Sequence, residues 1–233
     1  MCVVSKRLQR MSGDNMKTVI PTVFATSEKQ FFLRFHRLTP ITSAIQIDFM
    51  DGKLVPAQSF SLDVVPSLHL YLIAFEAHLM VANPEVWVGR CAVKGFSKAI
   101  VHVEALKSAA AGVLLIQNIK TLGMQPMIAI NPETPMVRLK PFIKLVSGVL
   151  VMGVHPGKEH QSLAKNTALR IRTLKKQFPN LWVQVDGGVN AETIGVLAAA
   201  GVDAVNAGSF VAEAKRPKDA LEMLEKLFRD ARK

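Results

Sequence analysis

The acids and imidazoles of this 233-residue chain tend to stand at the ends of short apolar runs. Gln46, Asp48 and Asp51 close the second such run, His78 stands near the end of the third, and His102 and Glu104 close the fourth. Asn131, His155 and Asp186 mark the ends of the fifth, sixth and seventh. Carboxylates and imidazoles are the side chains that most often exchange protons with a substrate or hold a metal ion. One polar strand end is ordinary, because a strand must leave the core somewhere. A whole series of them asks for a fold that gathers those ends at one place.

The runs between these residues supply such a fold. Val- and Ile-rich segments read as strands near Thr18–Ala25, Ala44–Phe49, Leu72–Met80, Ala99–Val103, Pro126–Ile130, Gly148–Val154, Trp182–Val185 and Ala204–Asn206. Helical patterns lie between them at Glu28–Arg37, Pro84–Val93, Ala109–Leu122, Ser162–Gln177 and Ala191–Ala200. A last one, Lys218–Arg232, carries Leu221, Met223, Leu224 and Leu227 on one stripe. Pro84, Pro132 and Pro135 are placed to open helical stretches, where a missing N–H costs nothing. Alternation of buried strands with helices indicates a parallel sheet. Eight strands in one chain of this length predict an α/β fold of the (β/α)8 TIM-barrel type, whose chemistry sits at the C-terminal strand ends. One domain over residues 17–233 is expected, preceded by a poorly ordered extension over 1–16, with Met11 and Met16 as alternative starts.

Composition narrows the functional classes. The chain is 49% hydrophobic and 20% charged, which suits a sizeable core without disulfide staples. Cys2 and Cys91 are too few for a secreted disulfide framework, so a reducing, cytoplasmic setting is expected. The first 17 residues contain Lys6, Arg7 and Arg10 but no apolar core of a signal peptide, and no run has the roughly 18 apolar residues of a membrane span. The net charge of +11 raises nucleic acid as a partner. The cations are dispersed, however, and aromatic residues form no stacking ladder, so neither nucleic acid nor membrane is expected. A positive field also steers anionic sugar phosphates.

The local motifs are more specific. Asp48-Phe49-Met50-Asp51-Gly52-Lys53-Leu54-Val55-Pro56 is similar to the Asp-x-Met-Asp-Gly-x-Phe-Val-Pro signature of the ribulose-phosphate 3-epimerase family. Ala77-His78-Leu79-Met80-Val81, Val101-His102-Val103-Glu104-Ala105 and Asn131-Pro132-Glu133-Thr134-Pro135 follow in that family's order. So do Val149-Leu150-Val151-Met152, Val185-Asp186-Gly187-Gly188-Val189 and Ala207-Gly208-Ser209. A lone Asp-Gly-Gly carries little information; the ordered series from about residue 18 to 211 resembles the family along most of the chain.

The resemblance implies interconversion of D-ribulose 5-phosphate and D-xylulose 5-phosphate, in the pentose phosphate pathway, by proton transfer at C3 through an enediolate. Inversion beside a ketone removes a proton from one face and delivers another to the opposite face, which suits two carboxyl groups. The resemblance assigns these roles to Asp48 and Asp186, exchanged in the reverse direction. It also implies one divalent metal ion (zinc, iron, manganese or cobalt) on Asp48, His78 and Asp186, acting as Lewis acid. Met50, Met80 and Met152 match methionines that pack around the reacting carbons, and Thr22 replaces a substrate-contacting serine. Backbone at Gly157, Gly187, Gly188, Gly208 and Ser209 is implied to bind the phosphate. A homo-oligomer is expected.

Two departures from the family pattern bear on this assignment. Gln46 stands where a histidine ligand is usual, and a glutamine oxygen is a weaker ligand for zinc or iron. After the sixth strand, Asn-Pro-Gly-Phe-Gly-Gly-Gln is replaced by His155-Pro156-Gly157-Lys158-Glu159-His160-Gln161, which puts a carboxylate where an anion is expected, with Lys158 or His160 as compensating cations. An epimerase for another ketose phosphate, such as a hexulose 6-phosphate, and a non-catalytic sugar-phosphate-binding barrel are the alternatives. The decarboxylase and synthase barrels use Asp-x-Lys-x-x-Asp on one strand; Phe49-Met50 after Asp48 does not match it.

Overall fold

Strand and helix alternate until the sheet meets itself. A computed structural model describes residues 18–231. Strands β1 (Thr18–Val23), β2 (Ala44–Met50), β3 (Ala74–Met80), β4 (Lys98–His102), β5 (Gln125–Ile130), β6 (Gly148–Met152), β7 (Trp182–Asp186) and β8 (Ala204–Ala207) form a closed barrel in chain order. All pairings are parallel, and β8 closes on β1 from Thr18↔Ala204 to Pro21↔Ala207. The expected (β/α)8 barrel is therefore observed. The expected extension over 1–16 lies outside the described residues.

The α-helices are α1 (Glu28–Leu38), α2 (Glu85–Lys94), α3 (Ala109–Thr121), α4 (Thr167–Gln177), α5 (Ile194–Ala199), α6 (Ser209–Ala212) and α7 (Pro217–Asp230). The amphipathic pattern of α1 shows why it forms where it does. Ser27 caps it by accepting from the Gln30 N–H, Glu28 stands in the positive first turn, and Phe31, Phe35 and Leu38 make the buried stripe. Arg34 is buried on that same stripe.

Three sequence expectations are corrected. Pro132 opens no helix, and Pro135 caps only a 3₁₀ helix, Met136–Leu139, in the β5–β6 connection. Pro132, Pro135 and Pro141 withdraw N–H donors too often for an i→i−4 ladder to grow. Helix α4 starts at Thr167 rather than Ser162, because the preceding segment is tied to the barrel through the Ala164 N–H to the Gly153 carbonyl. On α7, Met223 is half exposed, and Phe228 joins Leu221 and Leu224 in facing the core.

The twofold alternation of strands sorts the side chains. Ile45, Ile47 and Phe49 of β2 join the layer between barrel and helices, where Phe49 meets Phe60, Trp87 and Phe96. Gln46, Asp48 and Met50 are also buried but belong to the opposite face of the strand. Ile100, Met127, Ala129, Leu150 and Met152 form a separate apolar cluster inside the barrel. The interior is thus apolar on one side and polar on the side of β2, β3, β7 and β8.

Cys91 on α2 is fully buried and free of any disulfide. Burial pushes its thiol up to about 12, against a small opposing effect of the Arg90 charge. In a Cys2→Ser chain, no thiol is expected to react with an aromatic disulfide reagent at pH 8 until denaturant is added. Stoichiometric labelling of the folded variant would contradict this packing.

Candidate active site

Register brings the predicted chemistry together. Asp48 pairs with His78 across β2 and β3, while Asp186 lies between Met152 and Asn206 in the β6–β7–β8 ladder. All are inward-facing positions at the C-terminal end of the barrel. Asp48, His78 and Asp186 line one cavity of about 510 Å³ together with Thr22, Met80 and Met152. Gly157, Gly187, Gly188, Gly208 and Ser209 line the same space. Two expected residues do not: Met50 packs against Val55 and Met80 beneath the wall, and Gln46 is fully buried behind the aspartates.

Gln46 organises the two carboxylates. Its Nε2 donates to Asp186 Oδ2 at 2.7 Å and to Asp48 Oδ1 at 3.0 Å. His78 Nδ1 faces the same two oxygens, at 2.9 Å from Asp48 and 3.2 Å from Asp186. These bonds use one oxygen of each carboxylate and hold both acids at the cavity floor. Burial, helped by the charge of Asp186, pushes the Asp48 carboxyl up to about 6 against the hydrogen bonds of His78 and Gln46. A carboxyl poised near neutrality is suited to general acid–base work. For His78, burial disfavours the charged form, but the hydrogen bonds and charges of Asp186 and Asp48 together outweigh it and raise the imidazole to about 9.

Behind His78 stands a support that sequence reasoning left without a role. His78 Nε2 and His102 Nε2 are 2.9 Å apart, and His102 Nδ1 lies 3.3 Å from Glu104 Oε2. Burial, together with the charge of His78, lowers the His102 imidazole although Glu104 opposes it. A consistent proton order follows: His102 donates from Nδ1 to Glu104 and accepts at Nε2 from His78. Such a partner fixes the ring orientation of the group it supports. Burial alone would raise the Glu104 carboxyl, but bonds from His102, Thr134 and the Asn131 N–H together bring it down to about 2. Glu104 therefore adds stability that is complete above 4.5, its ordinary value, and is lost as pH falls toward about 2. Urea melts of Glu104→Gln are expected to lack that part of the acid-induced loss; identical acid limbs for variant and parent would contradict it.

A second polar layer lies deeper. Gln184 Nε2 donates to Glu76 Oε2 at 2.8 Å and Asn206 Oδ1 at 2.7 Å, and Lys98 pairs with Glu76 at 2.5 Å. Asn206 Nδ2 in turn reaches Thr22 Oγ1 at 3.5 Å, so the Thr22 hydroxyl is positioned from below. Sequence reasoning missed this layer; its signal was the even spacing of Glu76 from His78 and of Gln184 from Asp186.

The donor set can be compared with what a divalent metal needs. Two carboxylate oxygens and one imidazole nitrogen from Asp48, His78 and Asp186 lie within 4.8 Å of one another, a group that could hold an ion. Gln46 Oε1 is buried without a hydrogen-bond partner. A half-turn of that amide would exchange Nε2 for Oε1 and offer a fourth oxygen donor beside a cation. The residues fit a divalent ion, with an amide oxygen where an imidazole is usual.

The 155–161 loop departs from expectation. Glu159 does reach the cavity, and its principal cation is Arg34, with the His160 charge a lesser contribution. Its carboxylate receives Arg34 Nη1 at 2.9 and 3.0 Å, while Arg34 Nη2 binds Glu213 at 2.5 Å. His160 instead approaches Glu213, at 3.5 Å, and has a left-handed backbone at φ 59. The signal for Arg34 was a cation on the apolar stripe of α1.

Comparison with known proteins agrees with this geometry. The chain is 35% identical to the ribulose-phosphate 3-epimerase, cytoplasmic isoform, of Oryza sativa subsp. japonica over 78% of this chain and 81% of the relative. It is 30% identical to the ribulose-phosphate 3-epimerase of Eremothecium gossypii over 91% of this chain and 93% of that one. Among solved structures, KGPDC from Streptococcus mutans superposes with a TM-score of 0.72 at 12% identity, over 94% of this chain and 100% of that one. The 3-hexulose-6-phosphate synthase of Salmonella typhimurium gives 0.71 at 13% identity, over 93% and 100%. At such identity the two structures show a shared barrel and no more. The model of the ribulose-phosphate 3 epimerase family matches residues 35–212, and with both carboxylates and the relatives' similarity over most of their length, the chain belongs to that family.

Proposed function

We propose that this barrel interconverts D-ribulose 5-phosphate and D-xylulose 5-phosphate by proton transfer at C3, as an isomerase of the pentose phosphate pathway. The observation that carries the reading is the pair Asp48 and Asp186, bridged by one amide nitrogen and opening on one cavity. Asp48 takes the C3 proton from one face, and Asp186 delivers a proton to the other; the reverse reaction exchanges the two roles. Burial of both acids, together with Met80 and Met152 in the wall, limits water at the carbanionic carbon. The Thr22 hydroxyl is available to the substrate. The phosphate is taken by backbone N–H groups of the glycine loops at Gly187–Gly188 and Gly208–Ser209, the usual phosphate region of such barrels, with Gly157 closing over it.

Asp48, His78 and Asp186, with Gln46 through its amide oxygen, would hold one divalent ion. When bound, that ion supplies Lewis-acid charge for the oxygens beside C3. A cytoplasmic setting is in keeping with the free thiol of Cys91, and the Oryza sativa relative is a cytoplasmic isoform. Among the described residues no helix is long and apolar enough to cross a membrane. Self-association is supported by Leu70 and Leu72, each 82% exposed, and light scattering tests it. Purified protein supplied with divalent metal is expected to equilibrate the two pentulose phosphates. Turnover only of a hexulose phosphate would move the assignment to a different sugar, which the altered 155–161 loop favours as the second reading.

A further inference from the structure

The corner of the cavity assigned to the phosphate already contains an anion. Glu159 Oε1 lies 3.6 Å from where a Cβ on Gly208 would stand, so its carboxylate rests over the backbone after β8. Glu159, Gly208, Ser209 and Glu213 line the same space. A phosphate dianion entering there would meet a carboxylate at close range in a partly desolvated site, where like charges repel strongly. Each disfavours the other in that corner.

Arg34 shows how the conflict is resolved. It is 4% exposed, and its guanidinium is aimed from α1 at the underside of the loop. One nitrogen, Nη1, serves the Phe24 carbonyl and both oxygens of Glu159; the other, Nη2, binds Glu213. One guanidinium thus binds two carboxylates, with His160 at the exposed edge of the group, and the fork that now receives a carboxylate also matches phosphate oxygens. The loop's other polar anchors are local or at the surface: Gln161 Nε2 bonds to carbonyls of its own segment, His155 and Lys158, while the exposed His155 and His160 side chains reach Glu133 at 3.0 Å and Glu213 at 3.5 Å. Gly157 at φ +93 and His160 at φ 59 flank Glu159 and supply backbone bends about which it can leave.

The geometry points to Arg34 as a further phosphate-binding residue of this site, with Glu159 as a resident anion that the phosphate of the substrate must displace. The assignment rests on the phosphorylated-ketose reading above, but its test does not require turnover. Binding of inorganic phosphate to the full chain is measured by calorimetry at fixed pH and ionic strength. Glu159→Gln removes the competing charge and is expected to tighten phosphate at least about ten-fold relative to the parent, a modest share of a close charge–charge coupling. Glu159→Gly, lacking the side chain, is expected to behave likewise should the glutamine variant fold poorly. Adding Arg34→Met should abolish the gain, and Arg34→Lys, a point charge without the fork, should recover only part of it, with folding checked by near-ultraviolet circular dichroism. Phosphate bound no more tightly by either Glu159 variant, or a gain that survives Arg34→Met in a folded protein, would overturn the assignment. If the phosphate pattern holds while no ketose phosphate is turned over, the anion site stands and the epimerase reading falls.

Discussion

Asp186→Asn is expected to lower kcat by at least about 10³-fold while leaving the barrel folded, because loss of a general acid or base costs 10²–10⁴ and this one has no substitute. Asparagine keeps the shape and can still accept through its amide oxygen from Gln46 and His78, which bond Asp186 Oδ2. It cannot hold a transferable proton. Asp48→Asn is expected to act similarly, and the double variant should be hardly worse than either single one, since each turnover needs both acids. The two single variants should differ in exchange. With Asp48 intact, Asp186→Asn should still release the C3 proton of one epimer to solvent without inverting the carbon. A kcat within ten-fold of the parent for either variant would remove that residue from the reaction.

The second large effect concerns Gln46. Gln46→His is expected to raise affinity for zinc or cobalt by about ten- to a hundred-fold, the order by which site polar groups tune metal binding. At present the Gln46 N–H donates to both carboxylates, and its oxygen is buried without a partner. Loading a metal with Gln46 as the fourth ligand must break those bonds and turn the amide. An imidazole presents an acceptor nitrogen without that rearrangement. Metal retained after dialysis, and the rise in melting temperature on adding metal, report this without recourse to activity. Equal retention by parent and variant would show that the glutamine imposes no such barrier.

Much of this was legible in the sequence because strand alternation is strict. Gln46 and Asp48, or Gln184 and Asp186, must share a face once the strand is recognised, and the barrel then makes neighbours of residues 30 or 140 positions apart, as Gln46, Asp48, His78 and Asp186 show. What could not be read was the direction of contacts among layers. Nothing in the order of residues says that Gln46 would turn its nitrogen, rather than its oxygen, toward the acids. Arg34 drew no reading from the sequence: its partners Glu159 and Glu213 lie 125 and 179 positions away, and only the fold brings them together. The β5–β6 connection was misjudged because prolines that are able to start a helix also prevent its growth when closely repeated.

The most direct test of the account is to incubate ribulose 5-phosphate with the protein and divalent metal in D₂O and follow C3 by NMR. If two carboxyl groups invert that carbon, deuterium accumulates at C3 of both epimers and at no other carbon. Absence of label at C3 after long incubation with several metals, or label appearing at C1 instead, would contradict it.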